Sequence, residues 1–293
     1  MQPAEVYERL DHIEKEFGGV LGVSAQGIGK QSDLPRINRQ ADETFPAAST
    51  IKVPILYTAL RLADLGRVSL LERIPLTAED QVAGSGVLRD LEPGLEPTFY
   101  DLLMLMTIVS DNTATNMVID RIGTAAVNDD AKDLGCLGTV LAGKLMLPKE
   151  RQNAAQRAGH FNRTTPADML RYVLALHAGE GLSVESRTVA HRILYRQQVT
   201  DSLVRLLPWP RTEPNMPWRI ASKSGSICGV RHQVGWLDGP GGPDTPMAQQ
   251  APALCTTCGF FVALQGDLGR LFGACTNELS PSDGAVVART HGC

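Results

Sequence analysis

The chain has 293 residues, of which 43% are hydrophobic and 20% are charged, as is ordinary for a globular protein. The formal net charge is -4 and no dense stripe of Lys and Arg is present, which argues against a nucleic-acid partner. No window is apolar for long enough to span a bilayer. The N-terminus lacks the basic and apolar regions of a signal peptide. We therefore expect a cytoplasmic protein, or a periplasmic or secreted one whose signal has been removed.

Hydrophobic spacing predicts the secondary structure along the chain. An amphipathic helix is predicted over residues 3–17, followed by two short strands over 20–25 and 37–45 that pair with each other. Helical patterns dominate the middle of the chain, and strand patterns return late. The later predicted helices are 49–65, 101–109, 114–122, 126–134, 166–178 and 186–197, and the later predicted strands are 219–226, 230–237 and 257–265.

This order of elements predicts one α+β domain over residues 1–293, of the α/β sandwich type. Two early and three late strands would form a five-stranded antiparallel sheet flanked by helices. The sheet-containing lobe would comprise residues 1–48 and 205–293, and an all-helical lobe residues 49–204. We expect the active site in the groove between the lobes, where pockets commonly form.

Two stretches near the C-terminus have weaker patterns. The Gly- and Pro-rich residues 238–243 predict a mobile surface loop, and the tail beyond residue 267 a short helix against the sheet. Cys255 and Cys258 have CxxC spacing, but no second pair of Cys or His completes a zinc site. Because they lie in an apolar, strand-like run, we interpret them as core residues and expect no metal or other cofactor.

The pair Ser49 and Lys52 is the first candidate for chemistry. The two residues are three positions apart at the start of an apolar helix, so their side chains would lie on one face. The serine would lie at the helix N-terminus, where free N–H groups favour a developing anion. A neutral lysine one turn away can remove the serine proton.

Two further short motifs follow at polar positions. Ser110-Asp111-Asn112 lies between two predicted helices, where it offers a hydroxyl and an amide but also suits a helix cap. Lys223-Ser224-Gly225 lies in a predicted strand, where the lysine adds charge and the glycine permits close approach to the backbone. A lysine that protects an edge strand is the alternative interpretation.

In this order, Ser-x-x-Lys, Ser-Asp-Asn and Lys-Ser-Gly resemble the motif set of class A β-lactamases and penicillin-binding proteins. The family has Lys-Thr-Gly in the last position, and serine retains the hydroxyl. Residues 45–54 and 102–116 around the first two motifs also resemble the family. The resemblance runs from about residue 17 to about residue 265, and it implies the β-lactamase/transpeptidase-like fold.

The resemblance also implies a role for each motif residue. Ser49 would be the acylated nucleophile and Lys52 its base, directly or through water. Ser110 would pass a proton to the departing amide nitrogen. Lys223 would hold Ser110 in place electrostatically and, with Ser224, bind a substrate carboxylate.

Four further residues would bind the substrate. The backbone N–H groups of Ser49 and Ser226 would form the oxyanion hole, Gly225 would let the substrate approach the strand, and Asn112 would hold the substrate's side-chain amide. Arg231 follows on the next strand, where it would add affinity for a carboxylate or remain a solvated strand arginine.

The loop that releases the acyl group is the main departure from the family. Class A β-lactamases carry a glutamate shortly before a Thr-Thr-Pro-like segment and an asparagine just after that glutamate. Counting back from Thr164-Thr165-Pro166 reaches Lys149, next to Glu150, and Asn153 follows Glu150 one residue too early. Glu150 is the candidate deacylating base, and an ordinary surface glutamate is the alternative.

Three functions are compatible with these residues. The first is a serine hydrolase of the class A type that opens the β-lactam amide. The second is an esterase or peptidase-like hydrolase with weak β-lactam turnover, which the unusual loop favours. The third is a non-catalytic penicillin-recognising sensor. In each case we expect a small β-lactam, ester or peptide-like ligand, no nucleic-acid or membrane partner, and a monomer.

Overall fold

The computed structural model describes residues 3–199 and 219–238, together with three short strands near the C-terminus. The chain divides into two compact units. The first comprises Met1–Val199 and Ala221–Trp236, and the second comprises Thr200–Ile220 and Leu237–Cys293. Among the described helices, none has both the length and the apolar character needed to cross a bilayer.

Eight α-helices are described, and all lie in the first unit. Seven of them confirm the predicted helices to within a few residues, and the third, fourth, fifth and eighth begin two residues earlier than predicted. The short sixth helix was not predicted. The eight helices are α1 (Pro3–Phe17), α2 (Lys52–Asp64), α3 (Phe99–Ile108), α4 (Asn112–Ile122), α5 (Thr124–Asp133), α6 (Ala154–Arg157), α7 (Pro166–Ala178) and α8 (Val184–Leu194).

Local sequence signals determine where the helices begin and end. Thr98 and Asp101 form a reciprocal capping box at the start of α3, which satisfies two backbone donors that the first turn leaves free. Thr165 caps α7 and is followed by a proline at the first helical position. The same helix ends at Gly179 in the left-handed conformation that glycine adopts without steric cost.

Helix α2 is the centre of the first unit. Residues 52–60 are all buried, and the helix packs against α4, α5, α7 and α8. A helix that is buried on every side normally carries only apolar residues. Lys52 at its first position is therefore an exception, because its buried nitrogen needs polar partners.

The early strands form two separate pairs. β1 (Val23–Ala25) pairs antiparallel with β2 (Ile37–Arg39), which confirms that part of the prediction. The predicted strand 37–45 breaks after Arg39, because Gln40 has a φ of 43°, outside the extended region. β3 (Phe45–Pro46) instead pairs with β4 (Arg163–Thr164).

The late strands form one hairpin and one small sheet. β5 (Arg219–Ile227) and β6 (Val230–Asp238) lie where two strands were predicted, and they pair across the two-residue turn at 228–229. In the second unit, β7 (Phe261–Ala263), β8 (Phe272–Cys275) and β9 (Val286–Ala288) form an antiparallel three-stranded sheet.

Several predictions for the C-terminal part have a different outcome. The described residues of the tail are the strands β8 and β9, so the predicted short helix is not among them. The sheets of the described residues have two or three strands, and the single five-stranded sheet remains a prediction. The two lobes with boundaries at residues 48 and 205 also remain a prediction. Most of the predicted loop at 238–243 lies outside the described residues, as do Cys255 and Cys258.

Candidate active site

Ser49 lies in a short 3₁₀ turn, Ala48–Ile51, that leads directly into α2. The helix was predicted to include the serine. Because a 3₁₀ turn has three residues per turn, positions i and i+3 lie one above the other, which places Ser49 and Lys52 on the same side. Ala48 has a φ of 45°, a conformation that costs a non-glycine residue about 1–2 kcal/mol. Such strain next to a candidate nucleophile is typical of functional sites.

The buried side-chain nitrogen of Lys52 is surrounded by oxygen atoms. Its side chain is 1% exposed, and Nζ lies 2.6 Å from the carbonyl oxygen of Ser110, 3.0 Å from Ser110 Oγ and 2.9 Å from Asn112 Oδ1. Burial lowers the pKa of Lys52 well below its ordinary value, and the charge of Lys223 lowers it further, while Asp111 opposes the shift. A neutral Lys52 can donate to the carbonyl and amide oxygens and keep its lone pair for a proton.

Lys223 reaches the same hydroxyl from strand β5. Its Nζ lies 3.1 Å from Ser110 Oγ and donates to the carbonyl oxygen of Ser224 at 2.7 Å. Burial lowers the pKa of Lys223 to about 7. The Ser110 hydroxyl therefore lies between two lysine nitrogens. Ser110 itself has a φ of 58°, a second strained position in the site.

The sequence predicted only one part of the structural role of Asp111, its cap at the start of α4. As expected for a helix cap, its Oδ1 accepts the N–H of Ala114 at 2.9 Å. Its Oδ2 also accepts the N–H groups of Val87 at 2.6 Å and Leu88 at 2.9 Å. This fully buried carboxylate thus joins the start of α4 to the turn at residues 83–88.

That turn lies directly against Asn112. The Asn112 N–H donates to the carbonyl oxygen of Ser85 at 2.9 Å, and its side-chain Nδ2 donates to that of Ala83 at 3.1 Å. Because Oδ1 accepts from Lys52, the side-chain amide is held at both ends. Its binding of a substrate amide remains a prediction.

Gly225 brings the backbone of β5 against the nucleophile turn. A Cβ added at this glycine would lie 3.0 Å from the backbone nitrogens of both Ser49 and Thr50. Any side chain at this position would crowd the turn, so glycine permits the close approach of the strand. Ser224 before it is buried, and Ser226 after it is exposed. This arrangement is compatible with an oxyanion hole formed by the N–H groups of Ser49 and Ser226, which remains a prediction.

Glu150 and Arg231 are not drawn into this cluster. Glu150 is exposed on a 3₁₀ turn, Lys149–Arg151, and makes no hydrogen bond to Lys52, Ser110 or Lys223. Arg231 is an exposed residue near the start of β6. The catalytic role of Glu150 and the binding role of Arg231 both stay predictions. Within the described part of the chain, no three His, Cys, Asp or Glu side chains are grouped to hold a metal ion.

One residue of the site was missed from the sequence. Asn116 is buried on α4, one turn after Asn112. Its Nδ2 donates to the carbonyl oxygen of Leu145 and its Oδ1 accepts the Leu145 N–H, both at 2.8 Å. The spacing of four residues from Asn112 on a helix was the signal that could have identified it.

Comparisons with known proteins agree with this geometry. A family model described as "Beta-lactamase enzyme family" matches residues 5–248. A beta-lactamase of Rhodobacter capsulatus is 28% identical over 236 residues, which are 80% of this chain and 76% of that protein.

Solved structures share the fold as well. The beta-lactamase from Sphaerobacter thermophilus has 37% identity and a TM-score of 0.63, over 70% of this chain and 74% of that one. A mutant of PBP-A, solved as an acyl-enzyme complex with penicillin G, has 28% identity and a TM-score of 0.67, over 81% of this chain and 83% of that one.

The C-terminal part also matches a second family. A model described as a protein of unknown function (DUF3027) matches residues 219–293. An uncharacterised protein of Mycobacterium tuberculosis is 52% identical over 58 residues, which are 20% of this chain and 22% of that protein. The chain therefore spans about a fifth of that relative, and the match assigns no activity.

The family resemblance that the three motifs predicted is confirmed. The structural neighbours include class A β-lactamases and PBP-A, so the α+β fold is of the β-lactamase/transpeptidase-like type. The relatives support a hydrolase of the β-lactamase type. Because the family model matches most of its length, the chain belongs to the beta-lactamase enzyme family.

Proposed function

We propose that this chain is a serine hydrolase that opens the amide of a β-lactam and forms an acyl-enzyme on Ser49. The proposal rests on one observation: the side-chain nitrogens of two buried lysines both lie close to one hydroxyl. The Nζ atoms of Lys52 and Lys223 lie 3.0 Å and 3.1 Å from Ser110 Oγ. Two adjacent ammonium groups repel each other, so the site favours a state in which one lysine is neutral and can accept a proton.

Acylation would use that neutral lysine as the base. Ser49 Oγ attacks the lactam carbonyl carbon while Lys52 Nζ takes the hydroxyl proton. The resulting oxyanion accepts hydrogen bonds from the N–H groups of Ser49 and Ser226. The C–N bond then breaks, and Ser110 passes a proton to the departing nitrogen and regains one from Lys52. The proton that left Ser49 thus ends on the opened ring nitrogen, and Lys52 is neutral again.

Lys223 would have the second charge-dependent role. In its protonated form it would bind the carboxylate of the substrate together with the Ser224 hydroxyl, and Arg231 would add affinity from β6. Because burial lowers the pKa of Lys223 to about 7, its charge depends on pH in the physiological range. A bound carboxylate would raise that pKa again. Asn112 would hold the side-chain amide of the substrate.

An esterase or peptidase-like hydrolase with weak β-lactam turnover is the second candidate. The exposure of Glu150 favours it, since an exposed glutamate that does not contact the cluster is poorly placed to activate a water molecule. Both candidates use the same acyl-enzyme and differ in how fast it is released.

Intact-mass spectrometry tests the shared intermediate. The wild-type protein is incubated with penicillin G or with an activated ester, and the expected result is an added mass equal to the acyl group. Ser49→Ala should remain unmodified with both reagents. Ser69→Ala, at an exposed serine that lies on the loop after α2, is the matched control and should acylate like the wild type. No adduct on the wild type with either reagent, or an adduct on Ser49→Ala, would refute the assignment of the nucleophile.

A further inference from the structure

His232 on strand β6 contacts the chain that leads into the nucleophile turn. Its Nε2 lies 2.8 Å from the carbonyl oxygen of Pro46, three residues before Ser49. Because a carbonyl oxygen can only accept a hydrogen bond, Nε2 must carry the hydrogen, which assigns the tautomer of a neutral His232. The imidazole is partly buried and meets the ring of Phe45 edge-on, with 5.8 Å between the ring centroids. Both contacts hold strand β3 against β6.

The peptide between Pro46 and Ala47 is held from two sides. It is a trans peptide, so its C=O and N–H groups point in opposite directions. The Ala47 N–H donates to the carbonyl oxygen of Asn162 at 2.8 Å, beside the paired strands β3 and β4. The Pro46 carbonyl accepts from His232 on the other side. Together the two hydrogen bonds define the plane of this peptide.

The strained residue Ala48 follows directly. Its φ of 45° is a conformation that persists only where the surrounding structure enforces it. Within the turn, the N–H and Oγ1 of Thr50 both donate to the carbonyl oxygen of Ala47, at 3.1 Å and 2.6 Å. Outside the turn, the histidine holds the preceding peptide. Loss of the His232 contact frees one side of that peptide, so Ala48 can relax and Ser49 moves with it.

His232 also lies opposite Gly225 in the β5–β6 hairpin. Counting outward from the two-residue turn at 228–229 pairs the two residues. Side chains that are directly opposite in an antiparallel pair lie on the same face. A Cβ added at Gly225 would lie 3.0 Å from the backbone nitrogen of Ser49. One cross-strand pair therefore contacts the nucleophile turn at two points, beside Ser49 and at Pro46.

We infer that His232 is a positioning residue for acylation, because its hydrogen bond to Pro46 holds the strained turn in which Ser49 Oγ and Lys52 share one side. The inference rests on the proposed function and adds a residue that acts only through Ser49. The sequence directed attention to the neighbouring Arg231 instead. Successive residues of a strand point to opposite faces, so Arg231 cannot make this contact.

Single-turnover acylation by a chromogenic cephalosporin at several concentrations tests the inference, since it separates the limiting rate from the half-saturating concentration. His232→Phe keeps an aromatic ring against Phe45 and removes the donor. It should lower the limiting rate per folded molecule by about 10- to 100-fold, because a misplacement of about 1 Å can cost about 100-fold. The half-saturating concentration should stay close to that of the wild type.

Two further variants serve as controls. His232→Gln places an amide nitrogen near the position of Nε2, so it should recover most of the wild-type rate. His12→Phe makes the same chemical change at an exposed position on α1 and should acylate like the wild type. If His232→Phe does not fold, His232→Asn takes its place, because its shorter side chain ends before the Pro46 carbonyl.

The outcomes separate this inference from the proposed function. A wild type that is not acylated refutes both. If the wild type is acylated, an unchanged limiting rate in His232→Phe, a change only in the half-saturating concentration, or a loss that His232→Gln does not restore overturns the inference alone. Nitrogen-15 NMR of the histidine-labelled wild type gives an independent measurement. Neutral His232 should carry its hydrogen on Nε2, and a hydrogen on Nδ1 would contradict the contact with Pro46.

Discussion

Replacing Gly225 with alanine tests whether strand β5 forms part of the oxyanion hole. The added Cβ would lie 3.0 Å from the backbone nitrogens of Ser49 and Thr50, which is closer than ordinary van der Waals contact. Both contacts are with backbone atoms, so no side chain can rotate away to make room. The 3₁₀ turn and the strand must therefore separate by a few tenths of an ångström.

The expected loss follows from the donors that this displacement affects. The N–H groups of Ser49 and Ser226 lie on the two sides of the contact, and an oxyanion donor acts only at hydrogen-bond distance. Loss of one such donor costs about 100- to 1,000-fold in rate, or about 2.7–4 kcal/mol of transition-state stabilisation. The overpacking itself costs about 1–3 kcal/mol in the free energy of unfolding.

The assay is the rate of acylation by a chromogenic cephalosporin under single-turnover conditions, with thermal unfolding measured in parallel. Gly229→Ala is the matched control, since Gly229 lies in the turn of the same hairpin and an added Cβ there meets no atom within 4 Å. Its φ of 72° makes alanine strained by about 1–2 kcal/mol. This control should lose stability but acylate at nearly the wild-type rate.

Comparing the two variants shows whether strand β5 positions an oxyanion donor. If Gly225→Ala acylates as fast as Gly229→Ala at equal folded fraction, the approach of β5 to Ser49 does not position an oxyanion donor. Loss of the acylation rate in both variants would mean that the hairpin acts only through its stability.

Three further predictions concern charge and pH. Acylation by a carboxylate-bearing β-lactam should slow as pH rises above about 7, because Lys223 loses its charge there. Lys223→Arg should move this decline in rate to higher pH. An unchanged pH profile of the rate in the variant would contradict the role of Lys223. Burial lowers the pKa of His191, which lies against His177, Arg187 and Trp236. The unfolded chain therefore binds the proton first as pH falls below about 6.5, so the free energy of unfolding should decrease there, and less so in His191→Gln, as measured by urea denaturation at several pH values. Asp111→Ala should lower the free energy of unfolding by several kcal/mol. The variant leaves the N–H groups of Val87, Leu88 and Ala114 without their acceptor, at a cost of about 1–3 kcal/mol each. A free energy of unfolding equal to that of the wild type, measured by urea denaturation, would show that water replaces the carboxylate.

Helices were the most predictable part of the fold. The pattern of α7 over residues 166–178 was confirmed at both ends, because Thr165, Pro166 and Gly179 are local signals that act within one turn. The strand 37–45 was predicted as one element and is two, because its break depends on the backbone of Gln40 and on pairing of β3 with the distant β4. Pairing over more than one hundred residues has no local signal.

The loop before α7 shows the limit of spacing arguments most clearly. Counting along the loop directed attention to Glu150, which the fold leaves exposed. The residue clamped to α4 is Leu145, and the clamp is the side chain of Asn116, which is 29 positions away in the chain. The sequence of a loop does not fix which of its residues contacts a helix. The two hydrogen bonds between Asn116 and the backbone of Leu145 do fix it.

The sequence by itself determined the family and the candidate residues for acylation, because Ser49, Lys52, Ser110 and Lys223 lie in short motifs whose order and spacing are specific. It did not determine their electrostatics. Only the tertiary structure buries Lys52 and Lys223 around one hydroxyl, and this burial lowers the pKa of both lysines, while the charge of Lys223 lowers the pKa of Lys52 further. The structure likewise joins α4 to residues 144–145, which are remote from it in sequence, through Asn116 and Asp120.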